Sequence, residues 1–118
     1  MIRNLDLLYT VSSEAKMTFI STGLALKGDI DAAVAIFKQV SCPFMLMHCA
    51  NKYPCLDYEL NLSRIRKLKE VYGVPVGYSH HNPGILPPAL AVAMGAEAIE
   101  VHITLDRTMY GSDQAASL

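Results

Sequence analysis

Charge is scarce in this chain: only 18% of its 118 residues are charged, and ten Lys and Arg face eleven Asp and Glu. With no basic excess, the electrostatic footprint of a nucleic-acid binder is missing. Low net charge beside 52% hydrophobic residues excludes a disordered chain. No apolar run approaches the ~20 residues of a membrane span. The apolar stretch near Leu86–Ala96 is interrupted by Pro87, Pro88 and Gly95. The first residues mix Arg3, Asp6 and Glu14 among apolar ones, unlike a signal peptide. Cysteine is sparse too. Cys42, Cys49 and Cys55 are odd in number and form no C-x-x-C pair. That spacing excludes a disulfide scaffold or zinc knuckle and points to a reducing, cytoplasmic setting. No linker or low-complexity segment divides the chain, so one domain is expected.

What is present is an apolar pattern whose period alternates between 3.6 and 2. Helical spacing over 3–14 gives way to a strand over 17–22. A helix over 29–39 follows, with Asp29 as its expected N-cap. Pro43 leads into a strand over 44–49. Asn61 is the expected cap of a third helix with Leu62, Ile65, Leu68 and Tyr72 inward, closed by Gly73. Its Arg64, Arg66, Lys67 and Lys69 are expected in solvent. A strand over 75–79, a helix opened by Pro87 and Pro88, and a strand over 98–104 complete the order. Four βα units of 25 to 30 residues imply parallel strands with right-handed crossovers. Two architectures satisfy that: half of a (β/α)8 barrel, or a small doubly wound parallel sheet. A whole barrel needs about 250 residues.

Polar residues gather where the strands end: Ser21-Thr22-Gly23, His48 to Pro54, Gly77 to Asn82, and Glu100 to His102 with Asp106, Arg107 and Gly111 to Gln114. Both architectures place chemistry at that end. Residues two apart on a strand share a face. That parity sets Glu100 with His102, Ser79 with His81 and Asn51 with Tyr53. Two imidazoles on neighbouring strand ends, His81 and His102, suit a divalent cation. By the same parity His80 points away, toward solvent or behind the site. His48 reads as a hydrogen-bonded structural histidine, Cys49 as a buried thiol, and Met45 and Met47 as core fillers. The Ser21 loop offers a hydroxyl and amides to a phosphate.

At these strand ends the sequence resembles the sialic acid synthase family, the N-acetylneuraminate synthases with their legionaminate and pseudaminate relatives. The matching stretches are Phe19–Gly23, Met47–Pro54, Leu68–Glu70, Gly73–Ser79, Ala93–Ala96 and the long His102–Leu118. The resemblance implies the last four strands of a (β/α)8 barrel, with no antifreeze-like domain within residues 1–118. It implies condensation of phosphoenolpyruvate with N-acetylmannosamine or a related sugar, dependent on manganese or magnesium, in a homo-oligomer. By motif match His81 and His102 are the metal ligands, and Ser21, Asn51 and Ser79 hold phosphoenolpyruvate. Tyr53 and Asp113 lie near the sugar, and Glu100 is the catalytic acidic residue beside the metal.

The chain departs from the family pattern at His80, usually Asp or Gly, and at Asn82, usually Thr or Glu. An additional histidine beside His81 is expected to compete for the metal or alter its geometry. Two other readings of the residues remain open. One is a non-catalytic half-barrel that self-associates and at most binds metal or anion. The other is a compact metal-dependent lyase or hydrolase, whose mark would be a third ligand converging on His81 and His102.

Overall fold

The computed structural model describes residues 1–118. Four helices and four strands alternate: α1 Leu5–Ser13, β1 Thr18–Ser21, α2 Lys27–Gln39, β2 Phe44–Cys49, α3 Ser63–Tyr72, β3 Val76–His80, α4 Leu86–Ala93 and β4 Ile99–Val101. The strands are parallel and stand in chain order, β1-β2-β3-β4. Residue registers run Ser21 to Met47, Met47 to Gly77, Cys49 to Ser79 and Ser79 to Glu100.

The two faces of the sheet differ. One carries Ile20, Phe44, Leu46, Val76 and Tyr78, which form a single core with Leu8 of α1, Ile30, Ala33 and Phe37 of α2, Ile65 and Leu68 of α3, and Ala91 of α4. The alternating positions Ser21, Met47, Cys49, Gly77, Ser79 and Glu100 face the other way. Helices therefore cover one face only. A doubly wound sheet reverses its strand order and carries helices on both faces. Neither feature is present, so the chain is a curled half-barrel with no helix on its inner face.

Local chemistry accounts for most element ends. Asn4 caps α1 by accepting from the Leu7 N–H at 3.1 Å. Gly73 ends α3 at φ 60°, a left-handed conformation that suits glycine. Pro87 and Pro88 fall in the first turn of α4. Three expectations are corrected. Asp29 is not an N-cap: α2 starts earlier, at Lys27, and the Asp29 carboxylate reaches back to the Leu26 N–H at 2.8 Å. Asn61 does not cap α3; it takes φ 43°, and Leu62 precedes the helix. The last strand is three residues, not seven, because β4 has a partner on one side only. On α3, Arg66 and Lys67 are exposed as expected. Lys69 is half-buried, donating to Gly95 O and pairing with Glu97.

Candidate active site

The carboxyl ends of the strands open on a cleft of about 510 Å³ lined by Ser21, Asn51, Tyr53, Ser79, His81 and Glu100, with Cys49 between them. Three of these come directly from the inward face: Ser21 ends β1, and Ser79 pairs in register with Glu100. Asn51 and Tyr53 reach the cleft by another route. Residues 50–54 bend rather than continue β2, so strand parity does not apply to them. Gly23 admits Asn51, since a Cβ there would lie 2.5 Å from Asn51 Oδ1 and 2.9 Å from Cys49 Sγ.

The proton bookkeeping at His81 is determined by its partners. A carbonyl can only accept, so the Nδ1–H donates to Ala50 O at 2.9 Å. The opposite nitrogen, Nε2, then holds a lone pair. Tyr53 O–H donates to it at 2.8 Å, and the Tyr53 ring stacks on the imidazole with centroids 4.0 Å apart. Ser79 Oγ lies 3.1 Å from the same nitrogen but donates its one proton to Glu100 at 2.6 Å. Burial drives the His81 pKa down, keeping the ring neutral near pH 7.

His102 lies just past β4, so the parity pairing it with Glu100 does not place it. The loop brings it in instead: its ring is 5.3 Å from that of His81 and 5.7 Å from that of Tyr53, both edge-on. Its backbone carbonyl accepts from Leu118 N–H at 2.9 Å. Asp113 stands 3.6 Å from His102 Nδ1 and does not line the cleft. Arg3, unremarked in the sequence, does line it, anchored to Asp29 at 2.9 Å and to Leu24 O at 2.8 Å. Nothing in its neighbours along the chain signals that placement.

His80 takes the second of the two placements expected for it: it lies behind the site, fully buried under the helices, and is not solvated. Nor does it compete for a cation, since its Nε2–H donates to Gly84 O at 2.8 Å and its Nδ1 accepts from Tyr78 O–H at 3.1 Å. Met45 and Met47 are buried as expected. Cys49 is half-buried, and desolvation pushes its thiol pKa up, away from a nucleophile.

His48 is buried and donates from Nε2 to Leu60 O at 2.8 Å, while its Nδ1 has no partner. Burial lowers its pKa. An unfolded chain therefore takes up the proton first, and His48 contributes stability above pH ~6.5 that is lost as pH falls toward the folded pKa. Unfolding by urea between pH 7.5 and 5.5 should show this loss. His48→Gln, which keeps a donor for Leu60 O without titrating, should flatten the slope by up to about 1.4 kcal/mol per pH unit. An unchanged slope would contradict it.

A divalent cation is the group this arrangement suggests. His81 suits it: a histidine ligand has its far nitrogen tied to a carbonyl, leaving the near lone pair directed at the ion. His102 adds a second imidazole, and Glu100 lies beside Ser79. No group of three or more His, Cys, Asp or Glu converges into a closed cage. The donors fit an open site in which substrate or water oxygens complete the coordination. The compact lyase or hydrolase reading lacks the third ligand that would have marked it.

Known proteins carry the same arrangement of sequence and fold. The NeuB family matches residues 1–118. A crystal structure of an N-acetylneuraminic acid (sialic acid) synthetase from Leptospira borgpetersenii, in complex with citrate, superposes with a TM-score of 0.93 at 44% identity, covering 99% of this chain and 41% of that one. The N,N'-diacetyllegionaminic acid synthase of Campylobacter jejuni is 38% identical over 99% of this chain and 36% of its own length. The human N-acetylneuraminate-9-phosphate synthase is 34% identical over 98% of this chain and 32% of its own length. The chain thus spans about a third of the length of these curated relatives.

Proposed function

The chain belongs to the NeuB family, and from that premise we propose that it forms the last four strands of a barrel that condenses phosphoenolpyruvate with N-acetylmannosamine or a related sugar to a sialic acid-type nonulosonic acid. The observation that carries the reading is the convergence of Ser21, Asn51, Tyr53, Ser79, His81 and Glu100 on one cleft at the strand ends.

Each residue has a task its chemistry allows. The Ser21 hydroxyl and the Asn51 amide donate to phosphate and carboxylate oxygens of phosphoenolpyruvate, and Ser79 joins them by turning its one proton from Glu100 to the bound substrate. Tyr53, stacked on His81, and Asp113, beside His102, orient sugar hydroxyls so that the aldehyde carbon faces carbon three of phosphoenolpyruvate. Carbon three then bonds to the aldehyde carbon, whose oxygen takes up a proton to become a hydroxyl. Water adds to the electron-poor carbon two and gives up one proton, and the new hydroxyl loses its own as the bond to phosphate breaks and carbon two becomes a ketone. Glu100 is the carboxylate in the cleft able to accept a proton, and its bond from Ser79 fixes its direction. His81 and His102 would hold manganese or magnesium, which supplies Lewis-acid stabilisation of the developing aldehyde oxygen charge.

The test is turnover with the barrel completed, by joining this chain to the first four strands of a relative. Phosphoenolpyruvate, N-acetylmannosamine and manganese should yield sugar acid and one phosphate per phosphoenolpyruvate. Residues 1–118 alone should give little or no product. A folded, completed barrel inactive with every N-acetylated hexose tried would overturn the reading.

A further inference from the structure

We propose that His80 and Asn82, which touch nothing in the cleft, are positioning residues that hold the His81 ring in one orientation and one tautomer. The loop that follows β3 is clamped at both ends of His81. On its N-terminal side, His80 is tied by Tyr78 O–H at 3.1 Å and ties Gly84 O at 2.8 Å. On its C-terminal side, Asn82 accepts from Gly84 N–H at 2.7 Å and donates to Cys55 O at 2.6 Å and to Asp57 Oδ1 at 3.0 Å. Between the two, the His81 carbonyl accepts from Cys55 N–H at 2.7 Å.

The consequence is geometric. Gly84 makes one bond with each clamp residue, accepting from His80 and donating to Asn82, so the turn 82–84 cannot move without breaking both. Cys55 grips His81 and Asn82 together, which fastens the loop after β3 to the loop after β2. That second loop carries Ala50, whose carbonyl accepts the His81 Nδ1–H. The tautomer of His81 therefore depends on two loops staying in register, and Asn82 is the side chain that joins them. Tyr78, His80, His81, Asn82 and Cys55 are all buried, so water is a poor substitute for any bond that is lost. Together the two residues form one clasp.

The role is independent of the metal reading except in its second readout. The first readout is imidazole nitrogen NMR of the metal-free chain at pH 8, with amide exchange at Cys55. His81 should show a single Nδ1–H tautomer, and the Cys55 amide should be protected. Asn82→Ala and His80→Leu should mix the His81 tautomers and speed Cys55 exchange at least tenfold, while the amide spectrum of β1 and α2 stays native. His80→Gln, which keeps a donor for Gly84 O, should restore exchange to within about threefold of wild type. Asp57→Ala removes one exposed partner of Asn82 and should give a small, intermediate effect even if the buried variants fold poorly. The second readout is Mn²⁺ affinity, expected to fall ten- to a hundredfold in Asn82→Ala. An unchanged His81 tautomer and unchanged Cys55 exchange in folded variants would overturn the positioning role. Loss of the tautomer in a chain that binds no Mn²⁺ at all would instead overturn the metal reading and leave the clasp standing.

Discussion

Replacing His81 by alanine is expected to weaken Mn²⁺ binding by a hundredfold or more and to bring synthesis by the completed barrel below detection. The cause is the way this one lone pair is made. Ala50 O takes the Nδ1 proton, burial keeps the ring neutral, and Nε2 is left facing the cleft. His102→Ala should cost less, because that ring is partly exposed and its Nδ1 lies near the Asp113 carboxylate at 3.6 Å. The double variant should be little worse than His81→Ala alone, since one ligand removed already leaves the ion without two fixed points. A sign test is built into the site. Tyr53 O–H occupies the lone pair that a cation would use. Tyr53→Phe should therefore raise Mn²⁺ affinity a few-fold while impairing the sugar's binding. Titration followed by Mn²⁺ electron paramagnetic resonance measures all four variants. Equal affinity in wild type and His81→Ala would sink the assignment.

Much of this site was legible because strands buried on both sides write themselves plainly. Phe44–Cys49 and Val76–His80 each follow a proline, Pro43 and Pro75, and open with apolar residues, and their ends fall within a residue of expectation. Ser79 and Glu100 followed from strand parity, and Ser21 from its place where the first strand ends. Where the backbone stops being regular, parity stops working. Asn51 and Tyr53 enter the cleft through a bend, and His102 comes beside His81 and Tyr53 through a loop after a strand that ended early. His80 shows a different limit. Parity correctly turned it away from the cleft, but "away" in a half-barrel means beneath the helices rather than into water. Its partners, Tyr78 two residues back and Gly84 four residues on, depend on the loop conformation. The start of α2 escaped for a similar reason: a carboxylate in a first turn acts on the N-terminus from Asp29 as well as it would from the cap. Arg3 has no local signature at all; the fold alone brings it to the cleft.

Residues 1–118 expressed by themselves are expected to self-associate, and the cause is the open barrel. β1 pairs only with β2, and β4 only with β3, so two parallel edges offer unpaired backbone N–H and C=O groups. The apolar surface beside them is large. Phe19 on β1 is 55% exposed, and Ile103 and Leu105 after β4 are 83% and 99% exposed. Leu24 and Leu26 add to the β1 side. Patches of this kind beyond a few hundred Å² mark surfaces that another element covers. A stable interface needs on the order of 800 Å² from each partner, which the two edges and the exposed apolar residues beside them can supply. Sedimentation from 5 to 100 µM should show a mass rising above the monomer's. Phe19→Lys with Ile103→Lys, placing charges at both edges, should shift the chain back toward monomer without loss of helical signal. Adding the first four strands of a relative in trans should do the same by covering the edges. A native-like monomer at 100 µM in the unmodified chain would show that the inner face and edges are content in water, and would remove the physical case that this half-barrel requires a partner.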